Sequence, residues 1–164
     1  MTNYNSMKYY ERQYKKKEFN YLKYWAVVRA YAKHRYSLSA SDLDMLFFLY
    51  TEGYFTKEKF TEYSSIMSWD KGRFQRLVRL GYIEVFRKRI GHHCALYDMS
   101  YKGKRVVNDI YKKLEGEPFS EHYKNNPLFK GSATKYSEKV TRELMKKLNA
   151  ERRATIQRQH LFPE

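Results

Sequence analysis

The 164 residues suffice for one compact domain with appendages, and a formal net charge of +15 favours a polyanionic partner, above all nucleic acid, whose counterions Lys and Arg release. No apolar run approaches the roughly 20 residues that cross a bilayer, and "MTNYNSMKYYERQYKKKEFN" lacks the apolar core of a secretory signal; a membrane partner is not expected, and a cytoplasmic, DNA-associated location is. The lone Cys94 excludes an internal disulfide framework, while seventeen tyrosines and an 18% aromatic fraction supply packing groups that argue against disorder throughout.

Residues 1–18 read as a basic arm rich in Tyr and Lys, either a loose tail or a strand of positive charge along phosphates or a dimer interface. A helix is expected from about Asn20 to Arg35, with Tyr21, Trp25, Val28 and Ala32 on its inner face. "SLSASDLDMLFFLYTEG" predicts a second helix: Ser39 or Ser41 caps it, Leu43, Leu46, Phe47 and Tyr50 point inward, and Gly53 stops it. Thr56 caps a short third helix ending near Tyr63 or Ser64, with Phe55 and Phe60 at the spacing of a hydrophobic staple. After "SSIM", Ser68 is the expected cap of a fourth helix from Trp69 to about Leu80, with Phe74, Leu77 and Val78 inward and Gly81 as its stop.

Then the period changes. "YIEVFRKR" and "CALYDM" read as two strands, with Gly91 at the tip of the hairpin between them. Ser100 caps a fifth helix whose buried face is Val106 or Val107, Ile110, Tyr111 and Leu114. Residues 116–133, punctuated by Pro118, Pro127 and Gly131, read as a linker, and residues 134–164 as a basic helix and tail, with Val140, Leu144 and Leu148 on one edge. The fold class is therefore mainly α with a small β-hairpin: a winged helix-turn-helix over residues 19–115 with additional N- and C-terminal helices.

The fourth helix and the hairpin carry the chemistry. On a helical wheel Trp69, Gly72, Arg73, Arg76 and Arg79 lie opposite Phe74, with Lys71 and Gln75 on the flanks, the side an α-helix presents to a major groove. Ser68 would leave the helix amides facing a phosphate. Gly72 fits either close approach to a sugar-phosphate backbone or simple tolerance of a poor helix former. Beyond it the wing residues Arg87, Lys88, Arg89, His92 and His93 would reach flanking phosphates or the minor groove.

"RLVRLGYIEV" (Arg76 to Val85) and "MSYKGK" (Met99 to Lys104), in that order and spacing, resemble the MarR family of winged-helix transcription regulators. "RLVRLGYIEV" is similar to the family's recognition-helix end and first wing strand, and "MSYKGK" to the Leu-Thr-x-x-Gly-Arg segment after the wing. Where that family's wing commonly carries an Asp-x-Arg element, the tip here is "RKRIGHHC". The resemblance implies binding to pseudo-palindromic DNA as a homodimer, base contacts from residues 69–76, backbone contacts from the wing, and dimerisation through the terminal helices.

Other chemistries find little footing. In "HHC" (His92, His93, Cys94) neighbouring strand residues point to opposite faces, and no second cluster completes a metal site. No phosphate loop, zinc-protease signature or nucleophile elbow occurs, so neither an enzyme nor a cofactor is expected. The expected function is a sequence-specific, double-strand DNA-binding transcription regulator, dimeric through its terminal helices. The alternative is a winged-helix interaction module in a larger assembly, a viral particle or polymerase complex, touching nucleic acid only non-specifically.

Overall fold

The computed structural model describes residues 22, 24–67, 70–131 and 135–161. Expectations placed on the arm 1–18, on Tyr21, Ser68, Trp69 and Thr134, and on the last three residues lie outside the described residues. The elements run α1 (Trp25–Tyr36), α2 (Ala40–Glu52), α3 (Lys57–Met67), α4 (Lys71–Arg79), β1 (Ile83–Arg87), β2 (Leu96–Met99), α5 (Tyr101–Leu114), a 3-10 turn (Pro127–Phe129) and α6 (Tyr136–Leu161). This is the winged helix-turn-helix that the element order predicts, extended at its C-terminal end.

α2 forms the centre of the domain. Ser39 caps it and Asp42 returns the bond, so two otherwise orphaned amides are satisfied reciprocally. Leu43, Met45, Leu46 and Leu49 are buried, whereas Phe47 is half-buried and Tyr50 exposed. The inward stripe is thus rotated from the expected one, because α2 is enclosed on more than one side and buries a wider face. α1 buries Val27, Val28, Tyr31 and Ala32, with Trp25 half-buried against Phe47 at 5.7 Å between ring centroids.

α3 runs on to Met67, beyond the expected end at Tyr63 or Ser64. The Thr56 hydroxyl accepts from the Lys59 amide at 3.2 Å, and the staple residues Phe55 and Phe60 both pack on Phe74 of α4. β1 and β2 pair antiparallel, Ile83 opposite Met99 and Val85 opposite Tyr97, with an irregularity between Val85 and Arg87 that leaves Phe86 outside the ladder. Phe55 exchanges two backbone bonds with Tyr97 and adds a third edge to the wing.

Ser100 caps α5 as expected, and its hydroxyl also donates to the Gly81 carbonyl at 2.6 Å. Val106, Val107 and Ile110 are buried, but Tyr111 is exposed and rests edge-on against Phe47. Residues 116–131 fold back onto the domain: Phe119 and Leu128 are buried, and Asn126 caps the 3-10 turn between Pro127 and Phe129. α6 packs on α1 and on that turn through Met145, Leu148 and Asn149. Of the edge expected to hold Val140, Leu144 and Leu148, only Leu148 is buried within the chain; Val140 and Leu144 are exposed.

Candidate nucleic-acid interface

Helix α4 is short and sharply two-sided. It begins at Lys71 with Asp70 as N-cap, whose carboxylate accepts from the Arg73 amide at 2.6 Å; the expectation of a helix running from Trp69 under a Ser68 cap is corrected accordingly. Carboxylate and hydroxyl are comparable caps, and the carboxylate additionally meets the positive end of the dipole. The first turn therefore carries its own anion, and its amides are less free for a phosphate than a Ser68 cap would leave them. Gly72 follows from the same cap: a Cβ there would lie 3.0 Å from Asp70 Oδ1.

The inner side is sealed. Phe74 and Leu77 are buried and Val78 is half-buried, with Phe74 packed against Phe60 at 4.5 Å and edge-on to Tyr97 at 5.3 Å. Burying a Phe of this kind is worth about 2–3 kcal/mol, which fixes the rotation of the helix about its axis.

On the outer side Lys71, Gly72, Gln75 and Arg79 are exposed, but Arg73 and Arg76 are not free. Arg73 Nη1 donates to Asp42 Oδ1 and to Ser39 Oγ, both at 2.9 Å. Arg76 Nη1 donates to Asp42 Oδ2 at 2.5 Å, and its Nη2 to the Ser37 carbonyl at 3.1 Å. Asp42 is wholly buried. Burial alone would raise its carboxyl, yet the Ser39 amide and hydroxyl, Arg73 and Arg76 together hold it below the ordinary carboxylate value. The expectation that all three arginines face outward is thus met by Arg79, while Arg73 and Arg76 tie α4 to the start of α2. A buried carboxylate demands a charged partner, and two guanidiniums 31 and 34 residues away in sequence answer it.

Beside α4 runs a groove of about 560 Å3, floored by Phe60, Phe74, Val78, Val85 and Tyr97 and rimmed by Lys57, Lys71, Gln75 and Arg79. It joins the outer flank of α4 to the first wing strand. In the wing Arg87, Lys88 and Arg89 are exposed, and Arg89 Nε donates to the Gly91 carbonyl at 3.4 Å. Ile90 and His93 close the tip by exchanging backbone bonds. Gly91 has φ +55° and His92 does not share the positive sign, the pattern of a tight hairpin turn that needs glycine at its first central position. His92, His93 and Cys94 are exposed at this tip, and Cys94 Sγ lies 3.6 Å from Glu58 Oε1.

Sequence reasoning missed Asp42 as a member of this site. Its place in the "SLSASD" capping box accounts for it locally and conceals its second role. Among the described residues no helix is long and apolar enough to cross a membrane.

No family model matches the chain, and no curated protein matches it in sequence. Among solved structures it is similar to a cysteine-to-serine mutant of MarR from E. coli complexed with operator DNA. The two share 16% identity over 74% of this chain and 85% of that chain, with a TM-score of 0.43.

Proposed function

We propose that this protein is a sequence-specific regulator that binds double-stranded DNA by laying the outer side of α4 in the major groove and the wing along the flanking backbone. Lys71, Gln75 and Arg79 face the duplex from the helix, Gly72 permits close approach, and Arg87, Lys88, Arg89, His92 and His93 serve the wing. Arg73 and Arg76 hold α4 in place and contribute charge at its margin. The observation that carries this reading is the exposure of these cations around a helix whose other side is locked into the core. Most such contacts position the protein on phosphate, and Gln75 and Arg79 are the best placed to read base edges.

A homodimer fits this reading. On α6, Tyr136, Val140 and Leu144 recur every four residues and are all exposed, in the same row that runs on to the buried Leu148. A second copy meeting this stripe would present paired helices to half-sites about 34 Å apart. A cytoplasmic, DNA-associated location follows from the same reading.

Selection of bound duplexes from a random pool, with solution mass measured in parallel, tests the proposal. A recurrent two-fold motif and a dimeric mass are expected. Equal affinity for all sequences at elevated salt would overturn specific recognition.

One feature favours the second reading, an interaction module in a viral particle or polymerase complex. Tyr54 and Phe86 meet in a tilted ring contact at 4.2 Å between centroids, yet both remain more than half exposed. Exposed aromatic pairs of this kind are enriched where proteins meet proteins. A monomer without any preferred duplex would move the assignment there.

A further inference from the structure

Between the C-terminal half of α1, the outer side of α5 and residues 117–125 lies a cleft of about 720 Å3, to which neither α4 nor the wing contributes a residue. Its two carboxylates are engaged. Asp109 Oδ2 accepts from the Tyr36 hydroxyl at 2.7 Å and from that of Tyr31 at 3.1 Å, and Glu117 pairs with Lys113 at 2.9 Å. Its cations are not: Arg35, Arg105 and Lys112 are exposed and meet no carboxylate among the described residues. Arg35 instead donates to the Lys124 carbonyl at 2.7 Å. Tyr101, 77% exposed, lines the same cleft with the Arg105 guanidinium 5.9 Å from its ring centroid. Between the lining residues Ser120 and Asn125, Tyr123 is 52% exposed and stacks with His122 at 4.9 Å between ring centroids.

Cations spread along a concave surface, without acids to balance them, suit a polyanion. Arg105 and Lys112 stand seven residues apart on α5, about 10 Å along its axis, a spacing suited to successive phosphates of an extended chain. Arg35 faces the same cleft from α1. The exposed rings add a second requirement. An aromatic face stacks on a base only where that base is unpaired, because a duplex turns its bases inward. A cationic groove with flat rings at its margin is how proteins hold a single strand without reading its sequence. An acidic peptide satisfies the charge and offers no regular series of flat faces. We propose that this cleft binds single-stranded DNA, with phosphates on Arg35, Arg105 and Lys112 and a base stacked on Tyr101. DNA is the strand at hand because α4 is proposed to meet its duplex form. The cleft works through its own residues, so either reading can fail without the other.

The test titrates the full-length protein with a fluorescent oligodeoxythymidylate of about 12 nucleotides, within the span that single-strand-binding domains occupy. An abasic strand of equal length carries the same phosphates without the bases. Wild type is expected to bind the thymidylate at least about fivefold more tightly than the abasic strand, the lower end of what one base stacked on one ring supplies. Tyr101→Ala erases that difference and Tyr101→Phe restores it. Arg105→Ala makes the log–log salt slope for the strand shallower by about 0.7. Both side chains are exposed, so the variants unfold near the wild-type temperature. Arg79→Ala, altered on α4, binds the strand like wild type, which separates this cleft from the duplex reading. Three outcomes overturn the cleft: equal wild-type affinity for thymidylate and abasic strands; unchanged strand binding in Tyr101→Ala; or equal losses of strand affinity in Arg79→Ala and Arg105→Ala. Tighter binding of oligouridylate than of oligodeoxythymidylate overturns the choice of DNA.

Discussion

Asp42 Oδ2 and Arg76 Nη1 lie 2.5 Å apart and join the first turn of α2 to the last turn of α4. Arg73 takes the other carboxylate oxygen at 2.9 Å, so one buried acid sets the position of the helix proposed to enter DNA.

Asp42→Asn keeps the side-chain shape and removes the charge. It is expected to destabilise the fold by about 2–3 kcal/mol, less than the full loss for a completely buried pair because both guanidiniums retain contact with water. The pH dependence follows from the direction of the shift. A carboxyl held below its unfolded value stabilises fully above that value, about pH 4, and loses the contribution as pH falls toward and through the folded value. Urea unfolding between pH 7 and pH 3 should therefore show wild type and Asp42→Asn converging on acidification. Parallel curves would remove Asp42 from the account.

The arginines of α4 should divide by function. Arg79 is exposed on the outer side, so Arg79→Ala lowers DNA affinity and makes the log–log salt slope shallower by about 0.9, with unfolding nearly unchanged. Lys88→Ala in the wing does the same. Arg76→Ala instead lowers the unfolding midpoint, since it leaves Asp42 short of a partner. Salt-dependent binding and thermal unfolding on the same three variants check the split. An Arg76→Ala protein of native stability with a shallower slope would return that arginine to the reading face.

Gly103 sits where α5 meets the turn between α4 and the wing. A Cβ on it would lie 2.5 Å from the Tyr82 carbonyl oxygen and 2.6 Å from Met99 Cγ. The carbonyl is backbone and cannot swing aside, so Gly103→Ala must push α5 from the wing. The expected loss is about 2–3 kcal/mol, despite the better helix propensity of alanine. Equilibrium denaturation measures it; a neutral or stabilised variant would mean the wing yields freely.

These positions show what the sequence discloses and what it hides. Caps and stops are local, so Ser39, Thr56, Ser100, Gly53 and Gly91 could be read in place, and with them the order of helices and hairpin. A helical wheel also finds the polar side of α4. It cannot say which arginine on that side is captured by an acid 31 or 34 residues away, and that capture separates Arg73 and Arg76 from Arg79. Asp70 displaced the expected Ser68 cap for a reason of degree: both are good caps, and the wheel shifts little between them. Residues 116–131 mislead in the opposite way. Their Pro, Gly and Asn content is that of a linker, while Phe119 and Leu128, isolated and without period, anchor them in the core.

Asn149 is what keeps that segment in place. Wholly buried on α6, it accepts from the Phe119 amide at 2.7 Å and donates to the Phe119 carbonyl at 2.9 Å, pairing with the backbone as a neighbouring strand would. Its Nδ2 also donates to Glu121 Oε1 at 2.8 Å. Asn149→Leu matches the volume and leaves a buried amide and carbonyl unpaired, at about 1–3 kcal/mol for each group. Residues 117–121 should then open more readily than α2, although Phe119 still packs on Tyr31 and Lys113 of α5 still donates to Glu117 and to the Pro118 carbonyl. Hydrogen exchange at the Phe119 amide should rise by at least tenfold in the variant, with amides of α2 protected as before. Uniform loss of protection across both regions would mean that α6 and the winged helix unfold as one unit.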